Sequence, residues 1–227
     1  NILTSIIGFT EMSLEATESG SIQEDNLQEV FTAAKRAKDL VWQILTFARQ
    51  AEEPIQPIEI DRIAEESLKF IRSSIPTTIE IKEDIGTDSF IMGNPTQIHQ
   101  IIMNLCANAA QAMEKSGGIL EVVLKNVRID KTSEMFKEGL GNGDYIKMTV
   151  TDTGIGIPPD TIGSIFEPYF TTKEPGEGTG MGLAVAQGVV EKCGGSITVE
   201  SKLGKGTTFR VYLPITKSRQ IHQIKKT

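Results

Sequence analysis

Leu27, Val30, Ala34, Ala37, Val41, Ile44 and Ala48 follow one another at alternating three- and four-residue steps, a spacing that commits the chain to a long helix with one apolar seam. Phe31, Leu40, Leu45 and Phe47 widen that seam beyond two positions per heptad, so the helix needs cover on more than one side. Upstream, Ile2, Leu3, Ile6, Ile7, Phe9, Met12 and Leu14 mark a shorter amphipathic helix over Asn1 to Ala16, and residues 17–25, with Gly20 and Ser21, break it from the long one. Two helices cannot bury such a surface between themselves. A second copy of the hairpin supplies the simplest cover, which predicts a homodimeric four-helix bundle. Packing on the rest of the same chain is the alternative that the spacing leaves open.

Pro54 and Pro57 end the helical pattern and mark a linker or a first edge strand. Beyond them the pattern is mixed. It predicts helices over Asp61 to Ser73, Pro95 to Lys115 and Met181 to Lys192, strands near Thr78 to Asp84, Ser89 to Met92, Ile119 to Ile129 and Tyr145 to Asp152, and a closing hairpin from Ser196 to Leu213. Strands joined without intervening helices favour an α+β sandwich over a doubly wound sheet. At 227 residues the chain accommodates both parts. The expected division is a helical hairpin over 1–53, an α/β sandwich domain over 54–217 and a basic tail over 218–227.

A net charge of -7 argues against a nucleic-acid surface, which calls for clustered Lys and Arg. No uninterrupted apolar run is long enough to suggest a membrane span, so no membrane contact is expected. Cys106 and Cys193 lack ligand spacing and read as buried, reduced thiols of a cytoplasmic protein. The sequence opens on Asn1, already inside a helical pattern, and reads as cut from something longer.

Three segments carry chemistry. In the helix from Pro95, Asn104, Asn108 and Gln111 fall four and three apart and share a face; an amide oxygen there suits magnesium on a nucleotide, although buried amides paired to backbone are the plainer reading. Asp152-Thr153-Gly154-Ile155-Gly156 ends a strand, placing a carboxylate where it can accept from the exocyclic amine of a base, with glycines that permit close backbone approach. An aspartic protease would need a second such motif, and none is present. Gly176-Glu177-Gly178-Thr179-Gly180-Met181-Gly182-Leu183 runs into a helix whose N-terminus favours phosphate; a plain flexible turn is as good a reading. Lys173, in Phe166-Glu167-Pro168-Tyr169-Phe170-Thr171-Thr172-Lys173, is the cation best placed to reach a triphosphate, while Phe166 and Phe170 read as apolar anchors. Gly206-Thr207-Thr208-Phe209 opens the last strand and adds a hydroxyl. Walker A, Rossmann and Ser/Thr-kinase signatures are absent.

Taken in order, the Asn helix, Asp-x-Gly-x-Gly, the Phe-x-Pro segment, Gly-x-Gly-x-Gly and Gly-Thr-Thr-Phe closely resemble the ATP-binding domain of two-component sensor histidine kinases, of the fold shared with gyrase and MutL. The hairpin resembles their dimerisation and phosphotransfer helices. The resemblance implies ATP and Mg2+ as cofactors. Asn108 would hold magnesium with Asn104 assisting, Asp152 would read adenine, and Gly154 and Gly156 would flank the base. Gly178, Gly180 and Gly182, followed by Leu183, would form the phosphate lid, Gln111 and Lys173 would complete the nucleotide site, and Thr207 would sit behind the adenine.

It also implies a response-regulator receiver domain as partner and a phosphoryl-accepting histidine just ahead of Asn1. Asn1 itself would match the position tied in this family to dephosphorylation of the partner. His99 reads as structural and His222 as solvated, so neither replaces the acceptor. Where ATPases of this fold carry a water-activating glutamate, this chain has Asn104, and an amide cannot act as that base. An ATP-gated dimeric scaffold and an ATPase are the competing expectations. The parent is expected in the cytoplasm, with or without a membrane anchor.

Overall fold

The structure is a computed structural model and describes residues 2–49, 54–137, 139–172 and 179–216. The chain divides into two compact units, one holding the two N-terminal helices and the other all remaining elements.

In the first unit α1 spans Ile2–Glu15 and α2 spans Ile22–Arg49. The break between them is shorter than the sequence pattern predicts, because Ser21 caps α2. Its Oγ accepts from the Glu24 N–H at 3.2 Å, and the Glu24 carboxylate reaches back to the N–H of Gly20, the residue before the cap, at 2.5 Å. Within α1, Thr10 and Ser13 return their hydroxyls to the carbonyls of Ile6 and Phe9, which keeps polar groups satisfied on an apolar helix. Ala34 of the seam is buried, whereas Ile2, Phe9, Met12 and Val30 stay exposed.

The second unit is a sheet whose three long helices share one face, packed in a single core, while a short helical turn packs in a separate small cluster. The elements are β1 (Gln56–Glu59), α3 (Ile60–Ser74), β2 (Ile79–Gly86), β3 (Phe90–Gly93), α4 (Pro95–Ala112), β4 (Gly118–Ile129), α5 (Glu134–Lys137), β5 (Gly143–Asp152), α6 (Gly182–Lys192), β6 (Ser196–Lys202) and β7 (Gly206–Pro214). The five-stranded sheet runs β2-β4-β5-β7-β6; β2 and β4 are parallel and the other pairs antiparallel. β1 and β3 form a separate antiparallel pair. The α+β sandwich read from the sequence is the observed class, and Pro57 lies in the short edge strand β1.

Burial at Ile60, Ala64, Leu68 and Ile71 turns one stripe of α3 inward. Arg72 closes its end, donating to the carbonyls of Ile75, Pro76 and Ile79. Asn94 caps α4, its side chain accepting from the Gln97 N–H at 3.2 Å, with Pro95 in the first turn. α4 then lays Ile98, Ile101, Ile102, Leu105 and Cys106 against Leu120, Val122, Met148 and Val150 of the sheet, in one continuous core with Phe209 and Val211. His99 joins α4 to α3: its Nδ1 lies 2.8 Å from Ser67 Oγ, which donates to the Ile63 carbonyl at 2.6 Å. Burial pushes the imidazole below its ordinary pKa, against the pull of Glu66, so the structural reading of His99 holds.

α5 and its flanking turns are absent from the sequence-based pattern. Met135, Phe136 and Leu140 cover Tyr145 and Tyr212 in a second small cluster, which explains why those tyrosines are buried. Cys106 is fully buried, but Cys193 is only half-buried, since it caps the C-terminus of α6 where solvent reaches.

Candidate nucleotide site

Asp152 is the last residue of β5, 5% exposed, and its carboxylate accepts from the Gly154 N–H at 2.8 Å and from the Thr207 N–H. Burial raises its pKa from the ordinary carboxylate value, and those two N–H groups oppose the rise. Two donors hold the carboxylate in place while its acceptor capacity is not exhausted, so a donor on a ligand can be received there. Thr207, equally buried, is brought beside it by the antiparallel pairing of β5 with β7, in which Thr151 faces Thr208. Together with Ser201 these two line an open depression of about 260 Å3 at the end of the sheet, none of whose lining residues comes from α4 or α6.

The glycines around Asp152 are required first by the protein's own backbone. A Cβ on Gly154 would sit 2.5 Å from the Ala112 carbonyl oxygen at the end of α4. One on Gly156, at φ +71°, would meet the Lys202 carbonyl oxygen at 2.3 Å. One on Gly206 would fall 1.9 Å from the Asp152 carbonyl oxygen. The Asp152 turn is thus pressed between the C-terminus of α4 and the β6–β7 turn, and the Ile155 N–H bonds Ala112 O at 3.1 Å.

α4 contributes the amides. Asn104 is half-buried and donates from Nδ2 to the Gly182 carbonyl at 2.9 Å, so it fastens the first residue of α6. Asn108, one turn on, is half-buried and has no side-chain hydrogen-bond partner among the described residues. Gln111 is exposed. Gly182 opens α6 without a side-chain cap, which leaves first-turn N–H groups for an anion, and Leu183 packs against the main core. Gly180 has φ +63° and accepts from the Tyr169 N–H at 3.0 Å; Tyr169 is itself left-handed at φ +68°, a strained state for a non-glycine residue, and the residue is 76% exposed. Phe166 packs edge-on against Phe209 with ring centroids 6.4 Å apart, the anchor expected of it. Lys173 and Gly178 lie outside the described residues, as do Asn1 and His222.

The donor set fits a magnesium nucleotide: an amide, Asn108, without a partner among the described residues one turn beyond the Asn104 that fastens an uncapped helix start, and a buried carboxylate beside a hydroxyl at the sheet end. The family described as histidine kinase-, DNA gyrase B-, and HSP90-like ATPase matches residues 93–217, a span that contains every one of these groups. The chain belongs to that family. Relatives of this ATPase domain that align with nearly the whole chain are sensor kinases: CckA of Brucella abortus, 33% identical over 94% of this chain and 23% of its own length, and ZraS of Salmonella typhi, 32% identical over 97% of this chain and 44% of its own. The chain therefore spans less than half the length of these relatives. Among solved structures, a mycobacterial sensor histidine kinase, MprB, superposes with a TM-score of 0.57 at 27% identity, covering 71% of this chain and 97% of that one. Full-length ShkA, solved in complex with AMPPNP, shares the fold with a TM-score of 0.65 at 23% identity over 95% of this chain and 43% of its own.

Sequence reasoning did not single out Ser201 or Tyr169. The signal for Ser201 was available, because a hairpin closing on Leu203 and Gly204 pairs residue 201 with Thr207. The left-handed state of Tyr169 has no signature in its residue type.

Proposed function

We propose that this chain binds Mg-ATP and, within its parent, donates the γ-phosphoryl group to a histidine, from which it passes to an aspartate of a response-regulator receiver domain. The observation that carries this is the buried Asp152 carboxylate, oriented by the Gly154 and Thr207 N–H groups at one end of a family-matched domain. In this reading Asp152 accepts from the adenine amine, with Thr207 beside it and Gly154 and Gly156 shaping the turn under the base. Asn108 gives an oxygen to magnesium, supported by Asn104, which also holds the start of α6; Gln111 lies farther along the same face. Magnesium supplies charge neutralisation at the phosphates when bound. The first turn of α6, at Gly182 and Leu183, together with Gly178, Gly180 and Lys173, receives the triphosphate. An amide at position 104 favours keeping ATP for transfer over spending it on water.

The accepting histidine, by the resemblance of residues 1–9, precedes Asn1 in the parent. The hairpin over 1–53 is proposed to dimerise, consistent with the exposed Phe9, Met12 and Val30, while 54–217 forms the ATP-binding domain and 218–227 a basic tail. Among the described residues no helix is long and apolar enough to cross a membrane, and a cytoplasmic location is the proposal.

The test is thermal unfolding with and without Mg-ATP. At a hundredfold excess over the dissociation constant the nucleotide should stabilise the chain by about 2.7 kcal/mol. Asp152→Ala should remove that shift, and a full response in this variant refutes the adenine assignment. Acid-labile label from γ-labelled ATP, appearing in the parent protein and not in an Asn108→Ala variant, is the expected mark of histidine phosphorylation. Stable binding without label would point to a gating scaffold, and rapid phosphate release to an ATPase.

A further inference from the structure

Three hydrogen bonds meet at Ser201. Its Oγ receives the Ile157 N–H at 2.8 Å, lies 3.0 Å from the Gly206 carbonyl oxygen and 2.9 Å from Thr207 Oγ1. An amide N–H only donates, a carbonyl only accepts, and a serine hydroxyl has one hydrogen. A single assignment makes all three contacts hydrogen bonds: Ser201 donates to Gly206 and accepts from both Ile157 and Thr207. The hydroxyl hydrogen of Thr207 is then committed to Ser201, and what Thr207 Oγ1 still offers is lone pairs. Its backbone N–H is committed as well, to the Asp152 carboxylate.

We propose that Ser201 is a positioning residue for base selection: by holding the hydroxyl hydrogen of Thr207, it leaves the Asp152 and Thr207 end of the site with acceptors alone, so that this end takes a 6-aminopurine and refuses a 6-oxopurine. This rests on the adenine-binding reading of Asp152. An exocyclic amine has two hydrogens to give and satisfies acceptors. A 6-oxo group brings a further acceptor against a carboxylate and a hydroxyl whose hydrogen points elsewhere, and buried acceptors without donors weaken binding strongly. Ser201 also bonds the two backbone segments that frame the turn, at Ile157 and Gly206, which fixes where the lone pairs of Thr207 face.

The experiment compares dissociation constants for Mg-ATP and Mg-ITP, whose bases differ at the 6-substituent and N1. Wild-type chain should prefer ATP. Ser201→Ala frees the Thr207 hydroxyl to donate to a 6-oxo group, and the ATP-to-ITP preference should fall by roughly tenfold or more; Ser201→Thr should keep the wild-type ratio. If Ser201→Ala weakens both nucleotides by the same factor, the residue is only structural and the proposal is overturned. Should that variant fail to fold by circular dichroism, Ser201→Cys asks the same question, because a thiol accepts too weakly to hold the hydrogen; a wild-type ratio there also overturns it. Undiminished ATP binding by Asp152→Ala would instead sink the adenine site itself, so the two failures are distinguishable.

Discussion

The side-chain nitrogen of Asn104 lies 2.9 Å from the carbonyl oxygen of Gly182, so the middle of α4 holds the first residue of α6 by a single hydrogen bond across 78 residues of chain. A Cβ on Gly182 would come no nearer than 3.5 Å to the same side chain, so ordinary packing accompanies the bond. The start of α6 is therefore placed by α4, the helix that also carries Asn108.

Asn104→Ala is expected to cost about 1 kcal/mol in urea unfolding. Asn104→Asp should cost more, about 1–3 kcal/mol, because it sets a carboxylate against a carbonyl and leaves both without a donor. An Asp variant as stable as the wild type would show that this hydrogen bond contributes nothing to stability.

Two glycines should respond to alanine in opposite directions. Gly188 lies within α6 with nothing within 4 Å of an added Cβ, so Gly188→Ala should stabilise by about 0.5–1 kcal/mol. Gly206 has φ +107°, and its Cβ would fall on the Asp152 carbonyl; Gly206→Ala should destabilise by about 3 kcal/mol or more and remove nucleotide binding with it. Chemical unfolding of both variants checks the pair.

Asp152 predicts opposite pH trends for stability and binding. Burial raises its folded pKa above 3.8, so ionised Asp152 opposes folding above that raised pKa, and the penalty is relieved as pH falls through it. The ionised carboxylate is the stronger acceptor of an amine hydrogen, so nucleotide affinity should weaken over the same fall. Calorimetric titration across mildly acidic pH should show this step in the wild type and not in Asp152→Asn.

The two thiols should separate in a timed alkylation of the native chain. Burial pushes Cys106 up to about 12, leaving almost no thiolate near neutrality, while Cys193, raised less and half-buried, should be labelled first. Cys106 should react only as the chain unfolds, and equal rates for both would contradict the packing of α4 on the sheet.

Much of this protein is legible in its residue order. Apolar spacing marks the helices, with α4 found over Pro95–Ala112 and α6 over Gly182–Lys192, and alternation marks the strands, because a side chain's face follows from a period of 3.6 or 2. Motif order in turn pointed to Asp152, Asn108 and Thr207. What the sequence could not decide depends on backbones meeting from distant parts of the chain. Gly154 and Gly156 look like room for a ligand but are demanded first by Ala112 and Lys202; Asn104 looks like a ligand-facing amide, yet its Nδ2 also fastens Gly182; and α5 owes its place to Tyr145 and Tyr212, which it covers. Local period is a property of neighbouring residues, whereas close approach and the direction of a shared hydrogen are fixed only once the sheet's register has set which strands lie side by side.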